Sequence, residues 1–293
     1  MNRRHFLLSA AASGAAMAAP DRPARPALCL FSKHVPNLTY DEVGRTLKLM
    51  GFDGVDLTVR AEGHVLPERA TQDLPRAVET IRSYGLALPM ITTNLLSASE
   101  PVARPILSTA AKLKVPFFKL GYHRYRPGVP VEKALAEVKT ATEGLVALGR
   151  EYGIVAGFHN HSGNYVGTAV WDIREILKDS DPEWIGYYFD PAHATAEGGL
   201  YGWQLSLQLA LRRLNMVAIK DFYWEKRGGR WQMTWCPLGE GMVDWPKVFA
   251  AFAAARFTGP MSLHIEYHAK DELSAIAKDL AFMKKQVEIA YGA

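Results

Sequence analysis

The chain has 293 residues, enough for one large α/β domain or two small ones, and its 48% hydrophobic and 22% charged content is ordinary for a soluble globular protein. No apolar run reaches the ~18–20 residues that a membrane span needs. The formal charge is +4, falling to +2 when residues 1–19, which hold Arg3 and Arg4 and no acid, are set aside; so small a charge argues against nucleic acid, which asks for a concentrated basic face.

The first segment, "MNRRHFLLSAAASGAAMAAPD", has an arginine pair, an apolar stretch and small residues around Ala16–Ala18. That order is an export signal peptide over residues 1–19, of twin-arginine type. The expected location is the periplasm or another exported compartment, and residues 20–293 are expected to form one domain. Cys29 and Cys236 are two ordinary reduced cysteines by default, although an exported compartment permits a bridge.

From Ala27 onward, short apolar runs alternate with amphipathic segments. The runs cover 27–31, 53–59, 87–92, 116–121, 154–159, 185–190, 216–221 and 261–266. Each is mostly continuous in apolar residues, which suits parallel strands buried on both faces. Helical patterns separate them: 39–51 with Thr39 as N-cap and Gly51 as stop, 71–85, a proline-containing 100–114, 132–153, 171–179, 202–214, 244–257 and 270–290. Between the last two strands, "EKRGGRWQ" predicts a hairpin with a Gly-Gly turn. Eight β-then-α units predict an α/β fold of the closed (β/α)8 type, a TIM barrel in one domain. An open doubly wound sheet would place a Gly-rich phosphate loop after the first strand, where "SKHVPNLTY" has no glycine.

A barrel of this kind works at the C-terminal ends of its strands, and polar residues collect there. Lys33 and His34 follow the first strand, Asp56 lies late in the second, and Thr92, Thr93 and Asn94 follow the third. Lys119 ends the fourth, His159 and His161 the fifth, and Asp190 the sixth, with His193 three residues on. Lys220 and Asp221 end the seventh, His264 and Glu266 the eighth. Strand alternation sends His159, Asp190, Lys220 and Glu266 into one ring. Each residue has a plain structural reading: a strand-end histidine is often only hydrogen-bonded, Asp190 before Pro191 suits a helix cap, and Glu266 suits an ion pair with Lys220. Four such groups aimed at one volume nonetheless require mutual compensation, a metal or a polar ligand.

The segments "LMGFDGVDLTVR", "GFHNHSG", "FDPAHA", "IKDF", "PLGEGMVDW" and "LHIEYH" make the chain resemble the xylose-isomerase-like TIM barrels of the sugar phosphate isomerase/epimerase group. Many members hold one divalent metal with Glu, Asp, His and Glu from strands five to eight. The resemblance implies His159, Asp190 and Glu266 as ligands here, with His159 in place of the usual Glu. The fourth position falls on Ala218, which cannot bind a metal. A nitrogen ligand shifts the implied ion from Mg toward Mn, Zn or Co. The implied chemistry is metal-assisted proton abstraction next to a carbonyl of a sugar or sugar derivative. Glu266 is the candidate base, and Lys220 and His193 are the candidate stabilisers of the developing oxyanion. Because the strand-five carboxylate is absent, one-sided chemistry is favoured over two-base epimerisation.

His161, His264, Lys119, Trp224, Glu240 and His34 are the candidate substrate contacts. The aromatics Phe222, Tyr223, Trp224, Trp231 and Trp235 suit either a lid for sugar rings or a small satellite core. The expected partner is a small carbohydrate, with homo-oligomers possible as in many relatives. A lyase or hydratase acting on keto-glycosides by β-elimination, and a sugar-binding protein without catalysis, are the competing readings. A DNA endonuclease on the same barrel is disfavoured by the charge.

Overall fold

The structure, a computed structural model, describes residues 24–292. The predicted export signal and the boundary at residue 19 lie outside the described residues. Eight parallel strands close into a barrel: β1 Leu28–Phe31, β2 Gly54–Thr58, β3 Ala87–Thr92, β4 Phe117–Lys119, β5 Val155–His159, β6 Ile185–Phe189, β7 Leu214–Ile219 and β10 Met261–Leu263. An antiparallel hairpin, β8 Asp221–Arg227 with β9 Arg230–Cys236, rises between β7 and the last helix pair. Helices α1 Tyr40–Met50, α2 Ala70–Ser83, α3 Ala103–Lys112, α4 Val131–Tyr152, α5 Val170–Leu177, α6 Pro191–Leu211, α7 Trp245–Ala254 and α8 Glu272–Tyr291 form the outer layer. No described helix is long and apolar enough to cross a membrane.

Local chemistry accounts for these boundaries. The Thr39 side chain accepts from the Glu42 backbone N–H while Glu42 reaches back to Thr39, a complete capping box at the start of α1. Gly51 and Gly153 end α1 and α4 in the left-handed conformation that glycine tolerates. The hairpin turns at Gly228 and Gly229, both at positive φ. α6 departs from the sequence expectation, beginning at Pro191 instead of residue 202 and ending at Leu211. Asp190 caps it by accepting the His193 N–H, and a kink at Gly199 divides it in two. The Gly198-Gly199 pair hid this first half from a periodicity argument.

The main core lies between the strands and the helices. A second, smaller cluster fills the barrel interior: Met90, Tyr188, Met216 and Ala218, with Phe117 beside them. Both cysteines are free and buried.

One loop behind the hairpin is organised by a single carboxylate. Lys220 points into the barrel mouth, and Asp221 turns the other way. Asp221 accepts from the backbone N–H groups of Phe222 (2.9 Å), Gly239 (3.0 Å), Gly241 (3.3 Å) and Val243 (3.3 Å) and from the Trp245 indole N–H (2.8 Å). Gly241 comes so close that any side chain there would run into this carboxylate. Asp221→Asn would set an amide N–H against some of these donors. The expected loss is about 2 kcal/mol, with faster proteolytic cleavage between residues 221 and 243. An unchanged urea midpoint and cleavage rate would show that the loop does not depend on this carboxylate.

Candidate active site

The polar ends of β5, β6 and β7 meet inside the barrel mouth. Asp190 is fully buried, and three groups surround its Oδ2: the Lys220 ammonium at 3.1 Å, His159 Nε2 at 3.3 Å and His193 Nε2 at 3.7 Å. Burial alone would raise the Asp190 pKa, but Lys220, His193 and His159 outweigh it, so the group is held well below the ordinary carboxylate value. Asn160 clips this corner together, donating to the Asp190 carbonyl at 2.9 Å and accepting the Asp190 N–H at 2.8 Å.

The histidines are neutral. Burial lowers His159 to about 3 and His161 to about 4, and pushes His193 well below its ordinary value, with Lys220 adding to the effect at each. His159 Nδ1 meets the Tyr122 hydroxyl, and its ring stacks on Tyr188 at 4.5 Å. Tyr122 donating to Nδ1 and Nε2–H donating to Asp190 satisfies all three groups. His193 Nδ1 lies 2.9 Å from the Ser162 hydroxyl, and its Nε2 is buried without a hydrogen-bond partner. His161 packs on His193 with ring centres 4.0 Å apart.

Glu266 stands beside this corner and is one-fifth exposed. Its carboxylate meets Lys33 at 2.9 and 3.3 Å, and its pKa is lowered because Lys220 and Lys33 outweigh its burial. The expected Glu266–Lys220 ion pair is not formed: Lys220 pairs with Asp190. His264 Nδ1 lies 3.9 Å from Glu266 Oε1, and its Nε2 lies 3.1 Å from the Tyr188 hydroxyl. That hydroxyl also donates to Asp56 at 3.3 Å. Asp56 further accepts from Thr92 (2.7 Å) and Ser262 (2.8 Å), and burial raises it to about 6.

The remaining sequence candidates divide. His34 sits at the mouth with Nε2 accepting the Ile265 N–H at 3.0 Å, and burial lowers it to about 4. Lys119 is buried, with Nζ 3.4 Å from the centre of the Tyr122 ring and no hydrogen-bond partner. Trp224 is 40% exposed on the hairpin and packs on Phe222. Glu240 forms a surface ion pair with Lys278 at 2.7 Å. Of the five aromatics, Trp235 reaches the site, 4.8 Å from Lys220 Nζ and 5.4 Å from the His193 ring; Phe222 is buried and Trp231 is 67% exposed. Tyr122 and Tyr188 were missed. Tyr188 shares the inward parity of Asp190, which is a usable signal; Tyr122 lies past a strand end, where alternation gives none.

The family model described as "Xylose isomerase-like TIM barrel" matches residues 44–286. The chain belongs to this family. None of the curated proteins matches it by sequence. Among solved structures, it is similar to a 3-keto-D-glucoside 4-epimerase, YcjR, from E. coli, at 14% identity and TM-score 0.71, covering 89% of this chain and 100% of that one. It is similar to a xylose isomerase-like TIM barrel protein from Mycobacterium smegmatis in complex with magnesium, at 15% identity and TM-score 0.69, covering 90% and 97%. A third neighbour is the probable 3-DHS dehydratase AsbF from Bacillus anthracis, at 13% identity and TM-score 0.68, covering 88% and 98%.

A divalent metal of the kind the resemblance implies needs a free lone pair on each of its ligand residues. In the set His159, Asp190 and Glu266, the Lys220 ammonium lies on Asp190 Oδ2, the His193 N–H takes Oδ1, and both His159 nitrogens are engaged. Among the described residues one group brings three ligand atoms within 4.8 Å of one another: His34, His264 and Glu266. There His34 Nε2 already accepts a backbone N–H, so its Nδ1 carries the proton, and Lys33 covers Glu266. Neither set offers a free lone pair on each of its three residues in this arrangement, since His159 in the first and His34 in the second have none to give. Ala218, at the fourth family position, instead packs against Tyr188.

Proposed function

We propose that this member of the xylose isomerase-like family is a sugar isomerase or epimerase-like enzyme, acting by proton abstraction next to a carbonyl of a sugar or sugar derivative. The observation that carries the reading is the buried Lys220–Asp190 pair set beside a reachable, ionised Glu266. Glu266 is the base: it is charged and opens to the mouth. Abstraction turns the carbonyl oxygen into an enolate oxygen, and Lys220 is the cation placed to meet it. A neutral His193 with an unpartnered Nε2 is a further donor toward the same oxygen when its Nδ1 accepts from Ser162. Asp190 holds Lys220 and is too well compensated to be a base itself.

His159 occupies the place of the second family carboxylate, and with both nitrogens engaged it takes no proton from the opposite face. One carboxylate on one face supports isomerisation, in which Glu266 returns the proton to the adjacent carbon. It equally supports β-elimination, in which the enolate expels a leaving group; the dehydratase among the structural neighbours makes that the second reading.

Incubation of a ketose and a 3-keto-glucoside with the protein in D2O, followed by NMR, tests the reading. Deuterium entering the carbon next to the carbonyl with no group lost supports isomerisation; release of the substituent supports elimination. Binding without exchange would leave a sugar-binding protein. Glu266→Gln is expected to cut exchange by at least ~10³-fold while the fold stays intact. Retained exchange would remove Glu266 as the base.

A further inference from the structure

The mouth holds four basic side chains, and its acids answer only two of them. Lys33 pairs with Glu266, and Lys220 pairs with Asp190. Among the described residues, Arg60 and Lys119 enter no ion pair. Lys119 is 2% exposed and its Nζ has no hydrogen-bond partner; Arg60 Nε is likewise buried and unpartnered. Asp56 is the one carboxylate that attracts Lys119, and its oxygens are already committed to Thr92, Ser262 and Tyr188 one layer deeper. The Tyr122 face under Lys119 and the Phe31 ring, 5.5 Å from the Arg60 guanidinium, offer quadrupoles and no full charge.

Both residues are held in place by their backbones. Lys119 ends β4, and its carbonyl accepts from the Thr93 hydroxyl at 2.6 Å. Arg60 follows β2, at a bridge between Val59 and Val65, with its own N–H bonded to the Val65 carbonyl at 3.0 Å. Their fields overlap: after burial, Arg60 is the largest influence lowering the Lys119 pKa, and it acts on Tyr122 and His34 as well. Two basic groups whose fields overlap and that lack acids are unfavourable when desolvated, and a buried amine then tends to give up its proton unless something from outside brings the counter-charge.

We infer that Arg60 and Lys119 receive an acid group of the ligand, so that the substrate is an anionic sugar derivative, a carboxylate or a phosphate ester, and not a neutral sugar. This rests on the proposed function, because the same mouth holds the reacting groups. β2 and β4 lie on one arc of the barrel, while Asp190, Lys220 and Glu266 stand on the arc formed by β6, β7 and β10. A ligand anchored by its anion on the first arc lays its carbonyl end toward the second. Guanidinium and ammonium together suit the paired oxygens of a carboxylate or phosphate.

Isothermal titration of the full chain with D-glucuronate, D-glucose 6-phosphate, inorganic phosphate and D-glucose tests this. The expected result is that glucuronate or glucose 6-phosphate binds at least ~10-fold tighter than glucose, the tighter of the two naming the group. Arg60→Gln and Lys119→Met should each lose that preference. Lys119→Met should also raise the thermal midpoint, since it removes an uncompensated buried base, so a failure to fold is distinguishable from a failure to bind. Titration reads binding and not proton transfer, so its outcome is independent of whether Glu266 is the base. Equal binding of glucose and both anions, no binding of either anion, or unchanged anion affinity in both Arg60→Gln and Lys119→Met would overturn it.

Discussion

Lys220→Met is expected to destabilise the folded chain by about 3–5 kcal/mol, the usual cost of stranding one member of a buried ion pair. Asp190 is fully buried, and Lys220 at 3.1 Å is the cation that most lowers its pKa. Without the ammonium, the carboxylate keeps only neutral imidazoles and the His193 N–H around it. Two relaxations are open: Asp190 takes a proton, or His159 or His193 does. Either raises a pKa in the site, so the loss should be larger at pH 8 than at pH 6. The double variant Lys220→Met/Asp190→Asn removes both charges and should be more stable than Lys220→Met alone, a coupling that a double-mutant cycle reads directly. A single-variant cost under about 1 kcal/mol, or strictly additive costs, would show that the pair does not support the mouth. In the deuterium-exchange assay, loss of the ammonium should cost about 10²–10³-fold in rate, the scale seen when one oxyanion donor is removed.

Acidification from pH 7 to pH 5 is expected to destabilise the fold. Burial lowers His159, His193, His264, His161 and His34 below the ordinary imidazole value, His159 to about 3 and His161 and His34 to about 4. In the unfolded chain these rings take protons near pH 6.5. Below that pH the unfolded state binds protons that the folded state refuses, so stability falls as pH falls. At pH 5 His159 accounts for about 2 kcal/mol by linkage, and the other lowered rings act in the same direction. Asp56 and Asp279 run the other way. Burial raises both to about 6, so the folded state takes their protons first, and each returns about 1 kcal/mol over the same interval. Asp190 enters last: its lowered pKa gives stability that is present above the ordinary carboxylate value and is lost only in stronger acid. Urea unfolding at pH 7 and pH 5 measures the sum. A midpoint that is equal or higher at pH 5 would contradict the neutral-histidine description, and His193→Asn should flatten the dependence.

Much of the barrel was legible because its determinants are local. The eight apolar runs coincide with the eight barrel strands to within three residues at either end, whereas among the helices the first half of α6 was missed. Thr39, Gly51 and Gly153 act as the caps their positions suggest, and the Gly-Gly hairpin forms where its turn chemistry requires. Strand alternation sends His159, Asp190, Lys220 and Glu266 into one ring; the first three meet at one corner, and Glu266 stands beside it with Lys33. Alternation was less informative about the hairpin aromatics and Glu240, which sit on loops where no period fixes a direction.

Sequence alone therefore determined the architecture and brought His159, Asp190, Lys220 and Glu266 to the mouth, since hydrophobic period and cap chemistry act over a few residues. Tertiary structure decided the pairings. β7 pairs with both β6 and β10, yet Lys220 answers Asp190 after β6 and leaves Glu266 after β10 to Lys33 on the β1 side. Tyr188 crosses the interior from β6 to Asp56 on β2 and to His264, packed against a side chain at 218 as small as alanine. Arg60 and Lys119 are left without acids for the same reason: barrel closure and strand stagger choose which side chains meet, and neither is written in the spacing along any one strand.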